Sequence, residues 1–478
     1  MEYATGWEGR EVSMKSISML LARSSLYLVL VTMIAVGGGA SLITRLSALV
    51  AWLVLLLLVA FTRRPGTIGI AVCAFSLAVF CGAWTYLQTS EAAWSILSQS
   101  ALAQTVISSA IPRATLSIAP ADSIQTLVTV LFPVAMFLAV FFAFTDEKKT
   151  TNFIRLNSMF GALVALYGIM IYALGNDWLL FSAKRFYLQN LTAVFVNRNT
   201  TANYFGIALN GLTALICAGV QQRQPMDKFK KLPNFADVTL GLYAVGWLVV
   251  FLALMLTGSR AGTVTSILSV LVIASLCLLG STSSKRRLSW SRVLSILAIA
   301  LSVLLLTYLL ASPIFSRINS DWTYDPRFCI MPGLVRLWSD NWFFGTGLGT
   351  FPLAFPPYKD PSCGLPELWL QAHNFYIEGA ITFGLPFLVL VPLTVTILAI
   401  IFVQGLRHRR RYKWTAALGI GLLLQQLIHN AIDFPIQNAA IAIVFASLMA
   451  VCVLVSLRRP ELEVGRQLAG TEKIRPQN

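Results

Sequence analysis

Long apolar runs recur along the whole chain and are separated by short polar segments. A helix needs roughly 20 mostly apolar residues to cross the hydrocarbon of a bilayer. Backbone polar groups in lipid must be hydrogen-bonded, which favours helices. The pattern therefore predicts an all-α polytopic membrane protein. It has about twelve predicted spans, near residues 24–40, 43–62, 67–87, 123–145, 154–174, 200–220, 237–257, 262–280, 291–312, 374–403, 414–430 and 437–457.

Two of these runs fit the span pattern less well than the others, because uncharged polar side chains lie inside them. They are the runs near 200–220 and 414–430. The polar side chains in question are Asn203, Asn210, Gln425 and Gln426.

The composition indicates one membrane-embedded body. Hydrophobic residues make up 57% of the 478 residues and charged residues only 12%, whereas soluble domains carry about 25% charged residues. We therefore expect a single transmembrane domain at residues 24–457 and not several soluble domains. A cytoplasmic segment (1–23) is expected before it, and a cytoplasmic tail (458–478) after it.

The net charge of +16 would suggest nucleic acid as a partner of a soluble protein. Here most Lys and Arg residues concentrate in alternate loops, which is the positive-inside pattern of membrane proteins. The pattern predicts that both termini are cytoplasmic and that the lipid bilayer, not nucleic acid, is the partner. The basic segments lie at 63–64, 148–155, 223–231, 285–292, 407–413 and 458–459.

Arginine also occurs on the opposite, external side, close to the ends of predicted spans, at Arg198, Arg260 and Arg317. Ionisable groups near the membrane are costly and indicate a function by default. The guanidinium fork matches phosphate oxygens, and a helix N-terminus adds free N–H groups for the same ligand. The positions therefore predict a phosphate-like anion as ligand. The alternative is that each Arg anchors a helix end at the lipid headgroups.

Two of the three histidines lie on the same external side. His373 precedes a predicted span, where the helix dipole disfavours a charged ring and a neutral imidazole can accept a proton. The alternative is a structural histidine hydrogen-bonded at a helix end. His429 and Asp433 lie four residues apart and could share a helix face, or serve packing alone. The third, His408, lies in a cytoplasmic basic run.

The largest external loop, residues 313–373 between the ninth and tenth predicted spans, contains Cys329 and Cys363. In an oxidising compartment these two could form a disulfide, or they could remain free thiols. The run G-T-G-L-G at 345–349 follows no predicted strand, so we interpret it as a tight chain reversal and not as a dinucleotide fingerprint. The sequence contains no metal-ligand spacing and no nucleotide-binding loop, so neither a metal site nor a cofactor is predicted.

Several segments, taken in order along the chain, resemble the O-antigen ligase family, which includes O-antigen polymerases. The resemblance covers about residues 190–440, the expected family core. The similar segments are F-V-N-R-N-T-T-A-N-Y-F (195–205), T-G-S-R-A-G (257–262), the stretch from R-F to G-L-G-T-F (327–351), A-H-N-F-Y-I-E-G-A-I-T-F-G-L-P (372–386) and H-N-A-I-D-F (429–434).

The resemblance implies a C-type-glycosyltransferase-like fold in the bacterial inner membrane, with the active site facing the periplasm. It implies metal-independent transfer of a glycan from undecaprenyl pyrophosphate, the donor, without a cofactor. The acceptor would be the lipid A–core oligosaccharide in a ligase, which we favour. In an O-antigen or exopolysaccharide polymerase it would be a lipid-linked glycan.

The resemblance also assigns roles to single residues. The essential histidine of the family maps onto His373. The arginines that bind the donor pyrophosphate map onto Arg260 and onto Arg327 or Arg336, of which we favour Arg327. Arg198 is a further candidate for the pyrophosphate. Secondary candidates for the site are His429, Asp433, Asn374 and Glu378.

A secondary transporter of an anionic or sugar substrate is the alternative from another class of protein. About twelve spans with both termini inside would suit a transporter, but transporters commonly carry repeated halves and broken helices at the midplane. The sequence has neither two matching halves nor charged residues in the middle of its spans. We therefore favour glycan transfer over transport.

Overall fold

The computed structural model describes residues 3–39, 42–61, 68–99, 114–144, 146–222, 235–279, 329–361, 369–409 and 411–458. Within these ranges the chain is all-α and contains no β-strand, as the apolar pattern predicts. Single-turn 3-10 helices lie at Pro356–Tyr358 and Pro435–Gln437. The α-helices of the described ranges are α1 (Tyr3–Ala35), α2 (Leu42–Phe61), α3 (Ile68–Thr89), α4 (Glu91–Leu97), α5 (Pro120–Ala143), α6 (Glu147–Ala173), α7 (Arg198–Gln222), α8 (Phe235–Leu256), α9 (Arg260–Leu279), α10 (Met331–Ser339), α11 (Phe351–Ala354), α12 (Phe375–Phe383), α13 (Leu385–His408), α14 (Lys413–Ile432) and α15 (Ala439–Leu457).

Among the described residues, 11 helices are long and apolar enough to cross a membrane. They are α1 over Ser16–Ala35, then α2, α3, α5 to α9, and α13 to α15. Each corresponds to a predicted span, although α1 crosses several residues earlier than the predicted 24–40. The remaining predicted span, near 291–312, lies outside the described residues. The polytopic all-α architecture is thus confirmed.

The predicted span at 374–403 is divided into two helices. α12 ends at Phe383, and Gly384 has a φ of +73°. Glycine adopts this left-handed conformation without steric cost, so the chain turns here before α13 starts. α12 is therefore a short helix at the end of α13, and the segment that can cross the membrane is Leu385–His408.

The centre of the bundle is formed by α7, α9 and α14, while α15 packs against α5, α13 and α14. In α15, 83% of the membrane-spanning residues are buried inside the protein, whereas in α3 and in α13 only 11% are buried. Apolar side chains need no protein partner in hydrocarbon. We therefore infer that α3 and α13 present most of their surface to lipid.

The polar side chains inside α7 and α14 hydrogen-bond to one another. Gln426 Nε2 donates to Asn203 Oδ1 at 2.8 Å, and Asn210 Nδ2 donates to Gln425 Oε1 at 2.7 Å. Ser269 of α9 donates to Asn210 Oδ1 at 2.9 Å. The side chains that fitted the span pattern poorly are therefore satisfied across helix interfaces, as buried polar groups generally are. We call this set the buried polar ladder; it consists of Asn203, Asn210, Ser269, Gln425, Gln426, His429 and Asn430.

The two ends of the bundle differ in their charged residues. At one end, the basic end, Arg409 after α13 forms an ion pair with Glu147 at the start of α6. Arg458 Nη1, after α15, lies 3.8 Å from the same carboxylate. The opposite end is where α7 and α9 begin and α14 ends. We call it the site end, because it carries Arg198, Arg260, His373 and His429.

The G-T-G-L-G run is a tight chain reversal that packs against both α12 and α5. Gly345, Gly347 and Gly349 have φ values of +75°, +102° and +72°. The amide of Gly347 donates to Thr382 O, near the end of α12, at 2.9 Å. A Cβ atom on Gly349 would lie 2.2 Å from Thr126 Oγ1 of α5. Glycine is required here for both the left-handed backbone and the close approach.

Candidate active site

His373 lies in a turn just before α12, at the site end of the bundle. Its backbone has a φ of +53°, a conformation that residues other than glycine seldom adopt. Asn374 follows as the N-cap of α12, and its Oδ1 accepts hydrogen bonds from the amides two and three residues further on, at 3.0 and 3.1 Å. Its Nδ2 donates to Ala431 O at 2.8 Å, which ties the turn to the end of α14. Strained backbone of this kind clusters at functional sites. We call residues 369–378 the His373 turn.

A largely buried carboxylate, Glu378, holds this turn from inside. Its Oε2 accepts from Ala372 N at 2.7 Å, and its Oε1 accepts from Gln437 Nε2 at 2.9 Å. Burial raises the pKa of Glu378 from 4.5 to about 7, although both hydrogen bonds act in the opposite direction. Because Glu378 binds the residue directly before His373, we interpret it as a positioning residue.

The His373 ring lies beside a second buried carboxylate, which comes from the end of α14. His373 Nδ1 is 3.6 Å from Asp433 Oδ1; the His373 side chain is 29% exposed and that of Asp433 only 2%. Asp433 Oδ2 accepts a hydrogen bond from Asn199 Nδ2, and Oδ1 accepts one from Phe434 N at 3.0 Å. A carboxylate on this side favours a proton on Nδ1 of His373, which leaves Nε2 as a proton acceptor. The separation is slightly beyond a hydrogen bond, and such contacts often shorten once substrate binds.

Two aromatic rings enclose the His373 imidazole. The ring centroids of Trp369 and Phe434 lie 5.6 and 5.0 Å from that of His373, both in edge contacts. Such packing restricts rotation of the imidazole. It therefore helps to keep Nδ1 directed toward Asp433.

The external arginines Arg198 and Arg260 are the first residues of two neighbouring helices, α7 and α9. Arg198 Nη1 lies 3.4 Å from Asn190 Oδ1, and its guanidinium lies 5.5 Å from the centroid of the Tyr187 ring. The starts of two helices concentrate free N–H groups and the positive ends of two helix dipoles. With an arginine on each, the arrangement suits a phosphate group.

The glycines of T-G-S-R-A-G explain how these helix starts come together. Gly258 has a φ of +62°, and a Cβ atom on it would lie 2.6 Å from Asn190 Nδ2. Ser259 Oγ caps α9 by accepting from Gly262 N at 3.2 Å. A Cβ atom on Gly262 would lie 2.4 Å from an alanine Cβ of α7 and 3.3 Å from His429 Cε1 of α14. The motif thus allows α9 to approach α7 and α14 closely.

A buried lysine supports the segment ahead of Arg198. Lys184 Nζ donates to Asn176 Oδ1 at 2.8 Å and to Asn190 O at 2.6 Å. Burial lowers the pKa of Lys184 to about 8, opposed by the nearby carboxylate of Asp177. Asn190 therefore connects Lys184 with Arg198. The sequence did not predict this support, because Asn190 carries no recognisable signal of its own.

His429 belongs to the buried polar ladder. Its side chain is fully buried, and its Nδ1 lies 3.0 Å from Asn203 Nδ2. In this orientation the amide donates to Nδ1, which corresponds to a ring proton on Nε2. The backbone amide of Asp433 donates to His429 O at 3.0 Å, whereas the Asp433 carboxylate faces His373. We therefore interpret His429 as a packing residue.

The other candidate residues lie apart from the His373 turn or outside the described residues. Arg336 is exposed on α10, and within the described part of the chain its guanidinium has no hydrogen bond or ion pair. Arg327 and Arg317 lie outside the described residues. Cys329 is disulfide-bonded; Cys363 lies outside the described residues, so pairing between these two stays a prediction.

Sequence reasoning missed two amide side chains that complete the site. Asn199 donates to the Asp433 carboxylate, and Gln437 donates to Glu378. Asn199 directly follows Arg198 in segment 195–205, one of the segments that resemble the O-antigen ligase family. That segment therefore contained a signal for Asn199. Gln437 lies outside every motif that the sequence offered.

The arrangement can combine a proton acceptor with an anion-binding surface. His373 with Asp433 can remove a proton from a bound hydroxyl, and the starts of α7 and α9 can hold negative charge. Among the described residues, no group of three or more His, Cys, Asp or Glu is placed to hold a metal ion.

Residues 245–392 match the family model described as O-antigen ligase. The matched range contains T-G-S-R-A-G, the stretch at 327–351 and the segment that carries His373. The similar segments at 195–205 and 429–434 lie outside the match, although the structure brings both next to His373. No curated protein matches the chain. The resemblance seen in the motifs is nevertheless confirmed over residues 245–392, where the chain is similar to the O-antigen ligase family.

Proposed function

We propose that this protein transfers a glycan from undecaprenyl pyrophosphate to a sugar hydroxyl of an acceptor, at the periplasmic face of the bacterial inner membrane. The observation that carries the proposal is the convergence, at one end of the bundle, of the His373–Asp433 pair with the arginine-bearing starts of α7 and α9. The O-antigen ligase match supports a ligase or polymerase type of reaction.

His373 acts as the general base in this proposal. Its Nε2 takes the proton of the acceptor hydroxyl while the hydroxyl oxygen bonds to the anomeric carbon of the donor sugar. Asp433 holds the Nδ1–H and stabilises the imidazolium that forms. General base catalysis of this kind contributes about 100- to 10,000-fold to a rate.

Arg260 and Arg198 bind the departing pyrophosphate. As the new bond forms, the bond between the anomeric carbon and the pyrophosphate oxygen breaks, and undecaprenyl pyrophosphate leaves with the electron pair. The two guanidinium groups and the free N–H groups of α7 and α9 offset the charge on that oxygen. On the resemblance, Arg327 has the same role. The guanidinium groups thus stand in for a divalent cation, so the proposed transfer needs no metal.

We place the site end in the periplasm and both termini in the cytoplasm. The short connection between α13 and α14, at the basic end, holds Arg409 and Arg411, and the helix ends beside it hold Arg407 and Lys413. Cytoplasmic loops of membrane proteins carry such an excess of Lys and Arg.

We favour the ligase reaction, with the lipid A–core oligosaccharide as acceptor. The alternative within the family is a polymerase, with a lipid-linked glycan as acceptor. The two reactions leave different products when the enzyme is lost. Without a ligase, finished polymer accumulates on the lipid carrier, whereas without a polymerase only single repeats are made.

The test is complementation of a strain that lacks the gene, with wild-type protein or with His373→Ala at matched expression. Extracted lipopolysaccharide and undecaprenyl-linked glycans are then separated on gels. We expect wild type to restore long glycan on the lipid A–core and His373→Ala to leave the polymer on the lipid carrier. The loss of transfer should be at least about 100-fold, because the general base is removed.

His408→Ala is the matched control, because His408 is an exposed histidine at the basic end of α13. It should transfer glycan as wild type does. Near-normal transfer by His373→Ala would contradict the assigned base. Single repeats in the deletion strain would identify a polymerase. Unchanged glycans in every strain would reject transfer and leave transport as the leading alternative.

A further inference from the structure

An open cleft with a volume of about 200 Å³ lies at the site end, between the first turns of α2 and α5. Thr44 and Arg45 line it from α2, and Gly349 of the G-T-G-L-G reversal closes one side. The mechanism above uses none of these residues, and none of the predicted site residues lines the cleft.

The α5 wall of the cleft is a polar stripe on an otherwise apolar helix. Asp122, Gln125, Thr126 and Thr129 recur at spacings of three and four residues, so they lie on one face of α5. The neighbouring Ile124 is 56% exposed on the outside of the helix. Asp122 and Gln125 are exposed, and Thr126 and Thr129 are half-buried, so a ligand in the cleft can reach the polar groups of this stripe.

These side chains have no partner within the protein as far as the structure describes it. Neither Arg45 nor any of the four polar residues of the α5 stripe has a hydrogen bond or ion pair with another residue there. The buried polar ladder behaves differently, since its amides bind one another. The polar groups of Arg45 and of the α5 stripe are thus available to a ligand.

The chemistry of the lining favours an uncharged polyhydroxylated ligand. One guanidinium and one carboxylate, Arg45 and Asp122, balance each other in charge, which disfavours both phosphate and a metal cation as ligand. Together with two hydroxyls and a carboxamide, they offer donors and acceptors for the paired hydroxyls of a sugar. The cleft has room for one pyranose ring.

The cleft is held at a fixed separation from His373. In the reversal that ends at Gly349, Thr346 N donates to Ile381 O and Gly347 N donates to Thr382 O, both at 2.9 Å. These carbonyls are at the far end of α12, and His373 precedes its start. A helix of this length spans about 13 Å, so we infer that a few sugar units separate the cleft from the reacting hydroxyl.

We propose that this cleft is a saccharide subsite, which binds a sugar ring of a glycan substrate a few units away from the bond that forms at His373. The proposal rests on the proposed glycan transfer, since that reaction supplies the ligand. The sugar can belong to the donor glycan or to the acceptor oligosaccharide. Both present the same hydroxyl groups to the cleft.

The test uses two variants of the full-length protein, Asp122→Asn and the double variant Gln125→Leu with Thr129→Val. Ile124→Ala, on the outward face of the same helix, is the matched control. Binding is measured by saturation-transfer NMR with two lipid-free probes: the glycan repeat oligosaccharide and the core oligosaccharide, each released by mild acid. We expect about tenfold weaker binding of one probe by both cleft variants, and wild-type binding by Ile124→Ala.

Transfer kinetics in proteoliposomes give the second measurement. We expect the cleft variants to raise KM about tenfold, without lowering kcat, for the glycan whose probe they bind weakly. A truncated form of that glycan, which lacks the distal sugars, should show no such effect. If the change in KM depends on the length of the donor glycan, the subsite binds the donor. If it depends on the length of the acceptor, the subsite binds the acceptor.

Three results would overturn the subsite: unchanged binding and KM in both cleft variants, an equal effect on full-length and truncated glycans, or an equal effect of Ile124→Ala. Failure of the proposed function looks different, because wild type would then transfer no glycan at all. Loss of transfer in His373→Ala with unchanged oligosaccharide binding separates the subsite from the reaction centre.

Discussion

The His373 turn and the buried polar ladder meet at the end of α14, yet they use polar residues in opposite ways. In the ladder, neutral amides of neighbouring helices bind each other in the interior. In the turn, an imidazole that is 29% exposed lies 3.6 Å from a buried carboxylate. Left-handed backbone at His373 and two tethers, from Asn374 and Glu378, hold that turn in place.

Burial depth and charge therefore decide the role of a polar residue here, and its neighbours in sequence do not. His429 and Asp433 are four residues apart, but His429 is enclosed among amides and Asp433 faces His373. Neutral amides can hold helices together at small cost because they satisfy each other. An ionisable pair that is still reachable from outside can exchange a proton with a ligand.

The largest expected effect that tests this comparison comes from Asp433→Asn. The amide cannot stabilise a charged His373 ring, so kcat for glycan transfer should fall while KM changes little. We expect a loss of at least about 10-fold, and of up to about 10,000-fold if the contact tightens with substrate as in serine-protease triads. Steady-state transfer by purified protein in proteoliposomes measures it.

Asp340→Asn is the control for this variant, because Asp340 is an exposed carboxylate at the end of α10, bound to the Tyr358 hydroxyl. It should leave kcat unchanged. Asp433→Glu should recover part of the rate by restoring a carboxylate. Wild-type kcat in Asp433→Asn would contradict the assigned role of Asp433.

A smaller effect, on stability and not on catalysis, is expected from Asn210→Leu in the ladder. The substitution removes the hydrogen bonds to Gln425 and Ser269 and leaves their polar groups buried. Hydrogen bonds between membrane helices contribute on the order of 1 kcal/mol to stability. The free energy of unfolding should therefore fall by about that amount. Unfolding in detergent by heat or by added SDS measures the change.

Thr265→Val on α9 is the matched control, since the Thr265 hydroxyl bonds only within its own helix. It should unfold as wild type does. The kcat of Asn210→Leu, corrected for folded protein, should stay at the wild-type value. A large fall in that kcat at unchanged stability would mean that the ladder takes part in the chemistry.

A third effect is expected from Glu378→Gln, and it appears as a change in pH dependence. The folded-state pKa of Glu378 is raised from 4.5 to about 7, so between these values the folded protein binds more protons here than the unfolded chain. Its contribution to stability is therefore complete below about pH 4.5 and is lost as the pH rises through about 7. The carboxamide of the variant can still accept from Ala372 N, and it can donate to Gln437 once the Gln437 amide is flipped.

Thermal unfolding of both proteins between pH 4.5 and 8 checks this prediction. As the pH rises, wild type should lose stability relative to Glu378→Gln. Glu91→Gln, at an exposed carboxylate on α4, should follow the wild-type pH dependence. A constant difference between wild type and Glu378→Gln would mean that Glu378 does not titrate in this range.

Much of the fold could be predicted from the sequence, because hydropathy is a local property. The 11 spans of the described residues coincide with apolar runs, since lipid selects apolar side chains residue by residue. The exception is the run at 374–403. It stays apolar across Gly384, but its break depends on a contact with a distant segment, the hydrogen bond from Leu385 N to Phe343 O at 3.0 Å.

Residue types and their positions along the chain were enough to indicate which side chains could carry chemistry and at which end of the bundle they lie. They selected His373, Arg198 and Arg260 because charge at a span end is costly and stands out. The partners of these groups became visible only in the folded protein, where Asp433 lies beside His373 and binds Asn199, which is 234 residues away in the chain. The tertiary structure also decided that Asn203 and Gln426 satisfy each other inside the membrane. The physical reason is that burial and charge type can be read from each residue alone, whereas a hydrogen-bond partner is fixed by how the helices pack.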